Sequence, residues 1–172
     1  MTQTPPPGMT GTLEKQLGAL LDQYDAARRA AQARKDEAGA DERRFLEDFA
    51  RLRAGVLRPL FEAVAALLAK RGHASHIREQ EFAPHTGGAG SEASIALIVA
   101  PEGMEAPPVS DEHLRALSFT TRHYNRTVCV RNGAAPHEGS LAGAKGAYPL
   151  ARIDLQLAES ELVKLTAAIV KV

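Results

Sequence analysis

Arg122, Arg126 and Arg131, with Tyr124 among them, are the residues of this chain best suited to chemistry. Each guanidinium offers a planar fork of donors that fits a phosphate or carboxylate, and the ring adds a stacking surface for an anionic ligand or single-stranded nucleic acid. A plainer use competes with this one. Charged side chains on a solvated strand face discourage edge-to-edge pairing. The chain also carries 21 basic and 21 acidic residues, a formal net charge of zero, so it lacks the basic excess of a nucleic-acid footprint. Cys129, expected across the strands from Arg122, has no adjacent histidine to serve as its base and makes no convincing nucleophile.

Other groupings fail on spacing. Gly139, Gly143, Lys145 and Gly146 have the look of a phosphate loop, but only three residues separate the first two glycines, and neither the Gly-Lys pair nor a following Ser/Thr is present. A Walker-type site is therefore excluded, and residues 133 to 147 read as a long connection. Its length suits a binding role, in which Lys145 would join the three arginines and Tyr124 as an anion-binding set. His73, His76 and His85, with Glu79 and Glu81, offer metal donors. On a strand, however, positions 73 and 76 point to opposite faces, so no metal site is expected. Ser110, Asp111 and His113 contain the residue types of a catalytic triad without a nucleophile elbow, and read better as a capped turn. No catalytic residue and no cofactor is assigned.

The elements that must position these residues change character near Gly72. Residues 13 to 71 are dense in Ala, Leu, Arg and Glu, whereas residues 73 to 172 alternate strand-like runs with Gly/Pro turns. Leu13, Leu17, Leu20, Tyr24, Ala27, Ala31 and Ala38 follow the alternating steps of a coiled-coil seam, with Arg34 at the one missing position. A second apolar run, Phe45, Phe49, Leu52, Val56, Leu60, Val64, Leu67 and Leu68, is out of phase with the first. Either the helix breaks between them or one long helix carries a stutter. Gly39 as terminator and Asp41 as N-cap favour a break, which would make a helical hairpin. Pro59 lacks an amide donor, so the second helix should kink near Gly55 or restart at Pro59. Its end is marked by Lys70, Arg71 and Gly72.

Beyond Gly72, runs rich in Ile, Val, Thr and aromatics predict strands near 74 to 82, 93 to 100, 115 to 124, 127 to 132 and 148 to 155 in an antiparallel meander. A two-residue turn at Asn125-Arg126 would set Arg122 opposite Cys129. One face then carries Leu117, Phe119, Thr121, Val128 and Val130 as core, and the other Thr120, Arg122, Tyr124, Cys129 and Arg131. A final helix, with Glu159 and Glu161 in its first turn and Leu162, Leu165, Ile169 and Val172 in one stripe, should cover the core face.

The fold class is therefore α+β. Residues 1 to 11 read as a flexible tail, 12 to 72 as a coiled-coil-like helical arm and 73 to 172 as a mainly antiparallel sheet with a C-terminal helix on one face. The longest apolar run, Ile95 to Pro101, is too short to span a bilayer, and a single cysteine fits a reducing cytoplasm. The leading expectation is a non-enzymatic interaction or scaffolding module. It would pair with itself as a homodimer, or with another protein, through Leu13, Leu17, Leu20, Tyr24, Ala27 and Ala31. A binder of small molecules or anions, using the outward sheet face and the 133 to 147 loop, is the alternative.

Overall fold

A computed structural model describes residues 10–100, 115–134 and 146–170. The chain divides between Asp41 and Glu42 into two units. From Gly11 to Asp41 the chain is helical, part of helix α1, Gly11–Leu52. This helix passes through Gly39 and Asp41, so the break expected there is absent. A lone helix-interior glycine costs only about 1 kcal/mol, which strong helix formers such as Ala38, Ala40, Glu42 and Arg43 outweigh. The flexible tail falls outside the described residues as far as residue 9, and Gly11 already belongs to the helix.

Within the second unit the helical chain continues through a π-helical turn, Arg53–Leu57, into α2, Arg58–Lys70. The irregularity lies where Gly55 and Pro59 predict it. Its effect can be read from the buried positions, Phe45, Phe49, Arg53, Leu57 and Phe61, each four residues after the last. A four-residue step overshoots an α-helical turn by about 40°, so such a stripe would drift off the core within a few turns. The wider π turn, in which the Arg58 N–H reaches back five residues to the Arg53 carbonyl, corrects that drift. Leu57 and Phe61 thereby become core residues while their neighbours Val56 and Leu60 are only half-buried, and Leu68 is buried where Leu67 is 58% exposed. Helix α2 ends as expected. Gly72, at φ +84°, donates to the Ala69 carbonyl at 3.1 Å and His73 to the Leu68 carbonyl at 3.0 Å, the paired bonds of a Schellman cap.

Strands β1 (Ser75–Gln80), β2 (Ser94–Val99), β3 (Arg115–Arg122), β4 (Thr127–Ala134) and β5 (Gly146–Pro149) form one antiparallel sheet in chain order, the expected meander. The last strand differs from the sequence reading. It starts earlier and stops at Pro149, after which Leu150–Arg152 make a 3-10 turn. Asp154 then caps α3, Leu155–Val170, its carboxylate accepting from the Leu157 N–H at 2.8 Å. Glu159 and Glu161 consequently lie beyond the first turn.

Helix α2 packs over β1 and β2, and α3 over β3 and β4, on the same sheet face. Leu117, Phe119, Thr121, Val128 and Val130 are all buried there, as alternation requires, and the Phe119 ring meets Phe61 at 6.1 Å between centroids. Two polar clamps fasten the helices. Arg53, 8% exposed, donates to the Gln80 and Ser94 carbonyls at 3.0 and 3.3 Å and pairs with the Glu81 carboxylate, closing the open end of the β1–β2 pair. On the other side the Asn132 amide donates to the Glu161 carbonyl and carboxylate at 2.7 and 2.9 Å. Lys164 donates to the same carboxylate at 2.6 Å, and this bond raises the Lys164 pKa above its ordinary value.

Candidate functional site

The β3–β4 hairpin holds three of the arginine-set residues and Tyr124 between them, and its register decides whether they can act together. Arg122 lies opposite Thr127, Thr120 opposite Cys129 and Ser118 opposite Arg131, a shift of two residues from the pairing expected. The cause is a four-residue turn, His123 to Arg126, in place of a two-residue one. Asn125 stabilises it by accepting from the Thr127 N–H at 3.2 Å and hydroxyl at 2.6 Å, while Arg126 takes the left-handed conformation at φ 55°. Because the shift is even, every side chain keeps its face. Reach along the strands does change. Arg131 sits level with Ser118, four residues from Arg122, about 13 Å at the strand rise.

The arginine set is therefore spread out. Arg122 is half-buried, and its guanidinium lies 3.9 Å from the Cys129 sulfur, a diagonal rather than a directly opposite contact. Tyr124, 66% exposed, and Arg126 are in the turn itself, and Lys145 lies outside the described residues. The outward face is also less solvated than alternation suggests, since Ile98, Ala100, Ala116, Ser118 and Cys129 are buried on it.

A second grouping, at the same end of the sheet, has no local signal in the sequence. Glu92 lies just before β2, and one of its carboxylate oxygens is 2.6 Å from His123 Nδ1. The other accepts from the Thr121 hydroxyl at 2.9 Å, and the His123 N–H reaches both at 3.3 and 3.4 Å. Phe82 packs on the imidazole at 4.9 Å between centroids, and Tyr124 meets it edge-on at 6.0 Å. A carboxylate orienting an imidazole is half of an acid–base apparatus. Among the described residues, the hydroxyl bonded to this pair belongs to Thr121, which is fully buried and bonded to the carboxylate rather than to the imidazole. The cluster fastens the β1–β2 connection to the β3–β4 turn. Its members stand about thirty residues apart in the chain, which is why no motif reveals them. Among the described residues, no three His, Cys, Asp or Glu side chains gather as a metal site.

The third surface is helix α1 before residue 39. Leu13, Leu17, Leu20, Leu21 and Tyr24 are 43, 42, 61, 63 and 64% exposed, and Ala27 and Ala31 are exposed beside them. Leu13, Leu17, Leu20, Tyr24, Ala27 and Ala31 run along one side of the helix at the seam spacing, and Leu21 widens it. Polar contacts occupy the remaining circumference, as where the Gln32 amide donates to Asp36 at 2.8 Å. Among the described residues, no helix is long and apolar enough to cross a membrane. Comparison with known proteins finds no matching family model, curated protein or solved structure.

Proposed function

We propose that this protein is an interaction module that associates with a second copy of itself through the first part of helix α1. The observation that carries the reading is the uncovered stripe, five large apolar side chains on one helix, each more than two-fifths exposed. A helix in water gains most of its stability by burying an amphipathic face, and a contiguous exposed apolar patch marks an interaction surface. Self-pairing suits it because the seam spacing is that of helices packed on helices, and closed two-fold pairing buries the patch of both copies at once.

The test is the mass in solution. Multi-angle light scattering of the full chain should give a dimer. The Leu17→Glu/Leu20→Glu variant should be monomeric while the sheet unit melts at an unchanged temperature. A wild-type monomer at high micromolar concentration would overturn the reading.

A further inference from the structure

We infer that the two α1 helices pair antiparallel, around a two-fold axis that passes beside Leu21. This rests on the reading of α1 as the self-associating element and adds orientation and register to it. The seam is graded in size along the chain. Its first half carries Leu13, Leu17, Leu20 and Tyr24, and its second half Ala27 and Ala31.

A parallel pair would set Leu17 on Leu17 and Ala27 on Ala27, leaving a seam wide at one end and thin at the other. An antiparallel pair centred near residue 22 sets Leu13 against Ala31, Leu17 against Ala27 and Leu20 against Tyr24 of the second copy. Each layer then joins a larger residue to a smaller one or two of similar size. The helices keep one separation throughout, which close packing of knobs into holes requires.

The flanking residues point the same way. In this register the positions just after Leu13, Leu20 and Ala27 face their counterparts across the seam. Glu14 meets Arg28 of the second copy, Leu21 meets Leu21 on the axis, and Arg28 meets Glu14. Two opposite-charge pairs thus bracket an apolar centre. The parallel alternative offers no such pair over this stretch, since it brings Gln16 beside Leu21, Gln23 beside Arg28 and Ala30 beside Lys35. Flanking charges choose partner and orientation in such assemblies, and here they choose antiparallel.

The experiment is a charge exchange on the full chain, read by sedimentation velocity at physiological salt, where charges farther apart than a contact are screened. Glu14→Arg alone and Arg28→Glu alone each turn two attractive contacts into repulsive ones and should raise the dimer dissociation constant about tenfold. The double exchange should return it to within about twofold of wild type, and an equimolar mixture of the two single variants should form heterodimers in preference to either homodimer. Both positions are exposed, so circular dichroism melting should show all variants folded. A wild-type dimer whose affinity ignores the single changes, or is not restored by the double, overturns the antiparallel register and leaves self-association standing. A wild-type monomer overturns both.

Discussion

Phe119 and Thr120 are adjacent in β3 and show how sharply the sheet separates its two faces. Phe119 is fully buried against Phe61 between helix and sheet, whereas Thr120 is half-buried on the opposite face. Phe119→Ala should therefore cost about 3 to 5 kcal/mol through the cavity it leaves, and Thr120→Ala no more than about 0.5 kcal/mol. Equal costs in urea unfolding would show that the face assignment is wrong. This alternation was legible in the sequence because a strand has a period of two, and neither the turn length nor the register shift alters it. Arg53 was not legible. A charged residue beside apolar neighbours reads as solvated, yet here the guanidinium occupies a core position because two backbone carbonyls and a carboxylate meet it there. The Glu92, Thr121 and His123 cluster escaped for a related reason, since it depends on two loops meeting at one end of the sheet.

At the scale of elements, two interruptions stand where the sequence marks them but in a different form, while the helix break marked at Gly39 and Asp41 does not occur. Gly55 and Pro59 locate the irregularity between α1 and α2, but not the π turn that keeps Phe49, Arg53, Leu57 and Phe61 on one face. Asn125-Arg126 locates the β3–β4 turn, but the turn has four residues, capped by Asn125, and sets Arg131 two residues farther along the strands from Arg122. The π turn aims Arg53 at the end of the β1–β2 pair. Arg53→Met keeps the apolar stem and removes the donors to Gln80 and Ser94. It should cost about 1.5 to 3 kcal/mol, the worth of hydrogen bonding from a charged group. Amide exchange near residues 80 and 94 should accelerate more than exchange in β3. Arg53→Lys should recover only part of the loss, since one ammonium cannot reproduce the fork. A uniform change in exchange across the sheet would argue against a local clamp.

For the molecule as a whole, composition drew a boundary at Gly72, whereas packing draws it between Asp41 and Glu42. The composition changes where helix gives way to strand, yet the residues that cover the sheet are themselves helical. Phe45, Phe49, Leu57, Phe61 and Leu68 are buried in the same core as Ile95, Leu97, Val99 and Phe119. Upstream, the described residues from Thr10 to Ala38 bury no side chain. Two shortened chains should therefore behave in opposite ways. A version beginning at Ala38, which leaves about two turns of helix ahead of Phe45 so that unpaired amides fray outside the core, should fold, melt within a few degrees of the full chain and be monomeric. A version beginning at Gly72 loses three of the largest core contributors and one wall of the apolar layer. Each large-to-small loss of this kind costs several kcal/mol against a total stability of about 5 to 15 kcal/mol, so this version should not fold. Near-ultraviolet circular dichroism and light scattering on the two would decide the matter. A folded chain from Gly72 would place the boundary where composition put it. A chain from Ala38 that folds and still dimerises would move the self-association surface from helix α1 to the sheet unit.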